Sequence, residues 1–496
     1  MEELPGLLAA HARLALVALG AALAIAVPAG VLAHRRPGLG RVLTGAAGVV
    51  QTVPGLALLA LMVPLLAALA LPSIGVLPAF LGLTLYGVLP VLQNTAAGLA
   101  SVDDAAREAA RGVGMTERQM LFQVELPLAL PVVVAGVRTA TVWTVGMATL
   151  STPIGAPSLG NLIFAGLQTR NYADVLTGCV ASAVLALLLD GLVRLLELGT
   201  RVRRRGLVRT GLAGLAALAT LAFVPLAASS GSSASPLRIG AKTFTEQYVL
   251  AEVLAAEAEE AGAETEVVAS LGSTVAFDAL RSGEIDVYVD YSGTLWATVM
   301  ERPLEGAVRA TLRAEVPRWL EATHGIEVLA SLGFENTYAF AVRPETAAEG
   351  LRSLEDLAPR SARMSIGGDY ELFRRAEWEA VRAGYGLGFR ERRPMDPALM
   401  VDALLRGDVD VIGAFSTDGR LAELSVLTDP REIIPPYDAL VLARRGFRAA
   451  YPEAAARFEA LEGALDAATM RRLNQAVDGQ GEPPREVAQR WRSARP

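Results

Sequence analysis

The chain has 496 residues, a net charge of −7 and 52% hydrophobic residues, which leaves room for several domains. The negative charge argues against nucleic acid as a partner, because nucleic-acid binding needs a basic surface. One cysteine and three well-separated histidines argue against a disulfide or a metal site, and we expect no cofactor. Since Cys179 lies in an apolar run, we expect a buried, inert thiol.

The apolar residues are concentrated in the first half of the chain. A membrane span needs roughly 20 apolar residues, and six stretches approach or exceed that length: 14–33, 42–71, 76–100, 127–150, 172–198 and 207–227. Arginines cluster in the loops after the first, third and fifth stretches, and such loops face the cytoplasm. We therefore expect about six spans, with the N-terminus and the second half of the chain outside the cytoplasm.

The composition predicts a membrane domain over 1–227, a Ser/Gly linker over 228–236 and a soluble domain over 237–496. The soluble part begins with a strand at 237–240. Thr243 and Glu246 have the spacing of a capping box for a helix that runs to about Gly262. A second strand at 267–269 and another helix follow, and this alternation predicts an α/β sheet.

A nine-residue pattern occurs twice in the soluble part. Residues 279–287 (ALRSGEIDV) resemble residues 403–411 (ALLRGDVDV), and each segment reads as a helix end, a glycine stop and a strand. Four residues after each final valine stands an aromatic residue, Tyr291 or Phe415. Ligands of open α/β sheets gather beyond the carboxyl ends of strands. We therefore expect two lobes that aim these rings at one cleft; the alternative is that both rings fill cores.

The loop between the third and fourth stretches carries the sharpest motif. Glu108-Ala109-Ala110, Gly114 and Leu126-Pro127 together resemble the EAA loop of ABC importer permeases. Physically, residues 103–111 suit a short helix that docks on an ATPase; the alternative is an ordinary charged loop. The only lysine, Lys242, follows alanine, so the chain lacks the Gly-Lys of a nucleotide-binding P-loop. Any ATP hydrolysis must then occur on a separate subunit.

Further segments of the first half look like the permeases of the glycine betaine/carnitine/choline family: 51–59, 83–90, 94–98 and 151–160. This resemblance implies a separate ABC ATPase subunit as partner and a homodimer formed through the permease domain. It also implies a multi-pass protein of the bacterial inner membrane, embedded in the lipid bilayer.

Segments of the second half are similar to substrate-binding proteins for quaternary amines: 240–247, 283–294, 336–339 and 435–437. In that family, rings from these segments cage a trimethylammonium group. The ligand-binding residues implied here are Tyr291, Tyr338, Phe415, Tyr437, Asn336 and Thr294. The sequence departs from the family at Phe415, where relatives often have tyrosine, and at Asp290, where they have glutamate.

Arg374 and Arg375 are a further candidate. An arginine here is suited to pairing with a ligand carboxylate, and Arg375 is included in the candidate site. On pattern alone, a solvated arginine pair on a helix is favoured.

Together these features predict an all-α transmembrane permease bundle of about six spans followed by an α/β two-lobed domain like the periplasmic binding proteins. The predicted function is permease and receptor of an ABC importer for a small betaine such as glycine betaine, choline or carnitine. Import of ergothioneine by the same fused architecture is the alternative. A membrane-anchored sensor is less favoured, because it needs no ATPase-docking helix. An enzyme is disfavoured, because no G-x-S-x-G motif and no histidine in the cleft stand out.

Overall fold

The computed structural model describes residues 4–69, 71–169, 171–229, 236–303 and 307–495, without the side chains of 224–229, 398 and 422. Contacts divide the chain into two compact units, residues 1–163 with 173–233 and residues 164–172 with 234–496. The predicted Ser/Gly linker falls largely on residues 230–235, which lie outside the described residues.

The first half of the chain is helical. Its helices are α1 (Leu4–Arg35), α2 (Pro37–Thr52), α3 (Gly55–Ala68), α4 (Val76–Ala100), α5 (Asp104–Gly112), α6 (Glu117–Met120), α7 (Leu126–Ala148), α8 (Gly160–Gln168), α9 (Tyr172–Arg201) and α10 (Arg205–Ser229). A π-helical turn over Leu121–Glu125 joins α6 to α7. Among the described residues, five helical segments are long and apolar enough to cross a membrane, and six when α2 and α3 are counted as one span. The prediction of about six spans is confirmed.

The second predicted span is broken into α2 and α3, which meet at 101°. Pro54 stands between them, and its missing N–H and fixed φ prevent a continuous helix. The bend accounts for the unusual length of the apolar stretch over 42–71.

Helices α1, α4 and α7 approach one another closely through glycines. A Cβ atom at Gly30 would lie 2.5 Å from the Cβ of Thr95, and one at Gly136 would lie 2.5 Å from the Cβ of Asn94. In a membrane, helices associate through van der Waals packing because lipid removes the hydrophobic driving force. Small residues allow the close approach that this packing needs.

Cys179 lies exposed on α9, so the prediction of a buried thiol is wrong. Leu176 and Val180 beside it are also exposed. An apolar run in a membrane helix can present its side chains to lipid, so it does not predict burial within the protein.

A buried ion cluster ties helix ends together at the start of α7. Glu125 is only 2% exposed, and its two oxygens lie 2.7 Å from Arg35 Nη2 and 3.0 Å from Arg107 Nε. Arg107 also donates to the carbonyl oxygen of Leu99 at 2.6 Å. The carboxylate of Glu125 therefore links the start of α7 to the end of α1 and to α5, and Arg107 extends the link to the end of α4.

The second half of the chain alternates strands and helices. The strands are β1 (Leu237–Lys242), β2 (Thr265–Leu271), β3 (Val287–Tyr291), β4 (Glu327–Glu335), β5 (Tyr338–Val342), β6 (Ser365–Gly368), β7 (Glu391–Pro394), β8 (Val411–Phe415), β9 (Ser425–Val426) and β10 (Asp438–Ala443). The helices are α11 (Thr245–Glu260), α12 (Ser273–Ser282), α13 (Ser292–Thr294), α14 (Arg309–His324), α15 (Pro344–Ala348), α16 (Leu354–Leu357), α17 (Ala376–Tyr385), α18 (Pro397–Arg406), α19 (Phe447–Ala450), α20 (Pro452–Glu459), α21 (Ala467–Asp478) and α22 (Pro484–Ser493).

In the part of the chain that the structure describes, the strands form two five-stranded sheets, ordered β2-β1-β3-β10-β4 in the first lobe and β7-β6-β8-β5-β9 in the second. In the first sheet β3 is parallel to β1 and antiparallel to β10, and in the second β8 is parallel to β6 and antiparallel to β5. The chain crosses between the lobes at 336–337 and returns over 427–437. The predicted two-lobed α/β domain is confirmed.

The repeated pattern occupies equivalent places in the two lobes. Helices α12 and α18 are followed by Gly283 and Gly407, with φ of +78° and +80°. That left-handed conformation favours glycine as a helix stop. The strands that follow, β3 and β8, end at Tyr291 and Phe415.

The predicted capping box is wrong. Helix α11 begins at Thr245, and no side chain of a described residue caps it. Glu246 is 2% exposed and accepts hydrogen bonds from Tyr291 Oη at 2.5 Å and Asn336 Nδ2 at 3.0 Å. Its carboxylate is engaged inside the domain, so it does not reach back to the helix start.

We predict that Glu125→Gln lowers the free energy of unfolding by about 3 kcal/mol, because it leaves the poorly exposed Arg107 without its buried partner. The measurement is thermal unfolding of the full-length protein in detergent. Glu117 bonds the same Arg35 but is 63% exposed, so Glu117→Gln is the control and changes stability by at most about 1 kcal/mol. Equal effects of the two changes would contradict the prediction.

Candidate functional site

The four predicted cage residues meet where the chain passes between the lobes. Tyr291 and Phe415 end β3 and β8, Tyr338 begins β5 after the first crossing, and Tyr437 ends the second crossing just before β10. Tyr338 is paired with Phe415 in the sheet register. The backbone N–H of Asn336 donates to the carbonyl oxygen of Tyr437 at 3.0 Å, which fastens the two crossings together.

The side chains of these residues form a continuous row of rings. The ring centroid of Tyr338 lies 5.4 Å from that of Phe415 and 6.4 Å from that of Tyr437. Phe244, which the sequence analysis missed, lies between the lobes, 5.2 Å from Phe415 and 6.2 Å from Tyr291. Phe244 lies two residues after the end of β1, so the rule that placed Tyr291 and Phe415 at the carboxyl ends of strands also applies to it.

The rings border a cavity of about 180 Å³. Sites for drug-sized ligands are typically about 300–1,000 Å³, so this cavity suits a small molecule. All seven predicted ligand-binding residues line it: Tyr291, Thr294, Asn336, Tyr338, Arg375, Phe415 and Tyr437.

Tyr437 depends on a glycine opposite it. A Cβ atom at Gly293 would lie 2.7 Å from the ring of Tyr437. Since real Cβ contacts are not that short, only glycine leaves room for the ring at this position.

Arg375 lies at the cavity, and the interpretation of a solvated arginine pair is wrong for it. Its side chain is 13% exposed, whereas Arg374 is exposed. Nη2 donates to Glu371 Oε2 at 2.5 Å, while Nε and Nη1 have no hydrogen-bond partner among the described residues. The guanidinium lies 5.8 Å from the ring of Tyr338. A position just before α17, rather than on its solvated face, turns this side chain inward.

Lys242 forms a buried ion pair that the sequence analysis did not find. Its Nζ lies 2.5 Å from Asp290 Oδ1, and the two side chains are 3% and 1% exposed. The phenol of Tyr288 donates to Asp290 Oδ2 at 2.5 Å. Nζ also lies 5.6 Å from the ring of Tyr291, so the pair supports one end of the cavity. The partners are 48 residues apart, and no local pattern connects them.

The phenols at the cavity remain protonated donors. Burial raises the pKa of Tyr291, Tyr338 and Tyr437 well above the ordinary value of 10. Burial also raises the pKa of the carboxyl groups of Glu246 and Asp369, while hydrogen bonds from their neighbours act in the opposite direction.

Both halves of the chain match known protein families. Residues 235–494 match the substrate-binding domain of the ABC-type glycine betaine transport system, and residues 22–202 match the binding-protein-dependent transport system inner membrane component. The first match alone covers more than half of the chain. The chain belongs to the ABC-type glycine betaine transport family.

Individual relatives match along one or both halves of this importer. The ergothioneine transport permease/ergothioneine binding protein EgtU of Helicobacter pylori is 29% identical over 453 residues, covering 88% of this chain and 80% of that protein. The osmoprotectant import permease protein OsmW of Salmonella typhimurium is 40% identical over 187 residues, covering 38% of this chain and 86% of that protein. The crystal structure of a glycine betaine/carnitine/choline ABC transporter is 30% identical, with a TM-score of 0.47 over 52% of this chain and 97% of that one.

The importer is thus a permease and a substrate-binding domain fused in one polypeptide, and not an enzyme. It is a multi-pass inner-membrane protein, and its binding domain lies outside the cytoplasm.

The importer's EAA-like segment forms the short helix α5. Glu108 and Ala109 are exposed, whereas Ala110 is 4% exposed and packs inward. Gly114 follows with φ of +82°, a left-handed turn that favours glycine. Val113 beside it is 74% exposed. The segment therefore presents a carboxylate and an apolar side chain to whatever lies on its open side.

We predict that Asp290→Asn destabilises the binding domain by about 3–5 kcal/mol, because it leaves the ammonium group of Lys242 buried and unpaired. Asp290→Glu, which restores the residue common in the family, is the control: it keeps the charge and loses at most about 1–3 kcal/mol through overpacking. Chemical unfolding of the full-length protein, followed by fluorescence, measures both. A smaller effect from asparagine than from glutamate would contradict the prediction.

Proposed function

We propose that this importer takes up small quaternary ammonium compounds of the betaine type, such as glycine betaine and carnitine, with choline as a related ligand. The observation that carries the proposal is the row of rings along one small cavity. Relatives of its permease half are transport proteins for glycine betaine, carnitine and choline, which supports the same substrate class here.

A quaternary ammonium group explains why several aromatic rings line one small cavity. The group carries a positive charge but has no N–H to donate. It is stabilised instead by the negative faces of aromatic rings within about 6 Å. Tyr291, Tyr338, Phe415 and Tyr437, with Phe244 among them, offer such faces from both lobes.

Arg375, whose guanidinium lies 5.8 Å from the ring centroid of Tyr338, suits a ligand carboxylate. Arg375 has two buried nitrogen atoms, Nε and Nη1, without hydrogen-bond partners among the described residues. A guanidinium in this state is prepared for bidentate bonding to a carboxylate. Phe415 has no hydroxyl that could donate to the ligand carboxylate, so Arg375 takes this role. It therefore favours betaines, which carry a carboxylate, over choline, which does not.

Ergothioneine is the second candidate. It is also a betaine, with a trimethylammonium group, a carboxylate and a thione ring. The observation in its favour is that EgtU matches this chain along both halves, whereas OsmW matches 38% of it.

The proposal includes two protein partners. A separate ABC ATPase supplies the energy and docks on α5, since the chain has no Gly-Lys for a P-loop and Glu108 stands exposed on that helix. A second copy of the chain completes the translocation pathway through the permease domain, by analogy with the family.

We predict that the full-length protein in detergent binds glycine betaine, or ergothioneine, and rejects dimethylglycine, whose protonated amine has an N–H that the rings do not satisfy. A desolvated cation–π contact is worth about 2 kcal/mol. Replacing Tyr291, Tyr338 or Tyr437 by alanine should therefore weaken binding tenfold or more, since each 1.4 kcal/mol is about a factor of ten. Titration calorimetry measures both comparisons.

Tyr451→Ala is the control for the three cage changes, because Tyr451 packs in the first lobe outside the cavity lining. The Tyr451→Ala variant should bind the ligand with the same affinity as the unchanged protein. Equal binding of the trimethylated and dimethylated ligands, or no loss in any cage variant, would refute the proposal.

We predict that Glu108→Ala or Gly114→Ala abolishes uptake while ligand affinity stays unchanged. The first change removes an exposed contact for the ATPase, and the second strains a turn at positive φ by about 1–2 kcal/mol. Uptake of radiolabelled ligand in cells and calorimetry on the purified protein measure the two properties. Arg118→Gln, exposed beyond the turn, serves as control. Accumulation by the purified chain with ATP alone would show that no separate ATPase is needed.

A further inference from the structure

Each tyrosine of the predicted cage donates its hydroxyl hydrogen to a different buried carboxylate. Tyr291 donates to Glu246 Oε1 at 2.5 Å, Tyr338 donates to Asp369 Oδ2 at 3.3 Å, and Tyr437 donates to Glu377 Oε1. The three acceptors, Glu246, Asp369 and Glu377, are 2%, 8% and 2% exposed, and we call them the carboxylate layer. They come from α11, from the residue after β6 and from the start of α17, so no shared sequence motif produces the arrangement.

Burial raises the pKa of Glu246, whereas the hydrogen bonds that its carboxylate accepts act in the opposite direction and favour the ionised form. The oxygen of Tyr291 already accepts from Gln247 Nε2 at 2.9 Å, so its own hydrogen is directed to Glu246. Glu246 accepts further hydrogen bonds from Asn336 Nδ2 at 3.0 Å and from Asn474 Nδ2 at 3.4 Å. Every neighbour named here is a donor, and donors stabilise the charged form of a carboxyl group.

Burial also raises the pKa of Asp369, and hydrogen bonds again act in the opposite direction. Its Oδ1 accepts from the backbone N–H groups of Glu371 at 3.0 Å and Leu372 at 2.5 Å, which leaves Oδ2 for the phenol of Tyr338. Two backbone donors at the start of a helical turn stabilise a negative charge there.

The two cations at the cavity have other carboxylates as their nearest partners. Lys242 is paired with Asp290, and Arg375 bonds Glu371 at 2.5 Å. Arg375 Nη1 lies 4.0 Å from Glu377, a longer contact. The carboxylate layer therefore adds negative charge behind the rings beyond what these close pairs compensate.

Such charge acts on a ligand in two ways. A phenol that donates to a carboxylate gains electron density in its ring, which strengthens the ring's attraction for a cation. The carboxylate itself also attracts the cation through the poorly polarisable interior. Phe244 and Phe415 lack a hydroxyl and take no part, so the effect belongs to the three tyrosines.

We propose that Glu246, Asp369 and Glu377 are specificity-determining residues that make the cavity select a permanent positive charge, and not merely a trimethyl shape. This inference rests on the proposed function, since it concerns the same cavity. In this view the rings recognise the shape of the trimethyl group, and the carboxylate layer recognises its positive charge.

The test compares a cation with its uncharged isostere on the full-length protein. Glycine betaine and 3,3-dimethylbutanoate share the carboxylate and the three methyl groups, but only the first has the positive charge; choline and 3,3-dimethylbutan-1-ol form a second pair. The variants are Glu246→Gln, Asp369→Asn and Glu377→Gln, whose amides keep an oxygen to accept the phenol hydrogen. We expect each change to weaken binding of the cation by about tenfold and to alter binding of the isostere by less than about twofold.

Asp286→Asn is the matched control. Asp286 is 7% exposed and precedes β3, at the opposite end of the strand from Tyr291, where it bonds Arg444 at 2.5 Å. The affinity of the Asp286→Asn variant should equal that of the unchanged protein for every ligand. Three variants on separate elements keep the test decisive if one of them fails to fold.

The outcomes separate this inference from the proposed function. Equal losses for cation and isostere would show a merely structural role, and no loss would show that the charges are irrelevant; either result overturns the inference alone. If only ergothioneine binds, the same tenfold losses relative to Asp286→Asn are expected with it, and unchanged affinity overturns the inference. A protein that binds no quaternary ammonium compound would overturn both.

Discussion

The binding cavity depends on the place where the chain crosses twice between the lobes. The hydrogen bond from the backbone N–H of Asn336 to the carbonyl oxygen of Tyr437 fastens one crossing to the other. The pairing of Tyr338 with Phe415, and of Ala439 with Tyr291, then fixes each ring relative to a sheet. Because rings from both lobes meet at this one place, a ligand bound at the proposed site would contact both lobes. Hinge closure of a two-lobed receptor around its ligand needs such a shared contact.

The permease half has its own point of connection, the carboxylate of Glu125. Arg107 links it to α5, and Arg35 links it to the end of α1. If α5 receives the motion of an ATPase, a rigid buried contact at Glu125 transmits that motion to the spans more directly than the exposed ion pairs around it. In both halves, therefore, buried charge is placed where elements of the fold must move or hold together.

Much of this could be predicted from the sequence, for identifiable reasons. The repeated glycine stop and strand led to Tyr291 and Phe415, because periodic patterns and left-handed glycines are local signals. The crossing residues Tyr338 and Tyr437 came only from family resemblance. The pair of Lys242 with Asp290 and the contact of Tyr437 with Glu377 join residues distant in sequence, and no local pattern reports them. At Glu246 a local pattern gave a wrong prediction. Its spacing from Thr243 satisfies the capping-box rule, but the carboxylate is buried and accepts hydrogen bonds from three other side chains.

The most direct test of the account is an experimental structure of the full-length protein with its bound ligand. We expect the quaternary nitrogen within about 6 Å of the ring centroids of Tyr291, Tyr338, Phe415 and Tyr437, and the ligand carboxylate on Arg375. A ligand bound outside this cavity, or a ligand nitrogen that donates a hydrogen bond to a carboxylate, would contradict it.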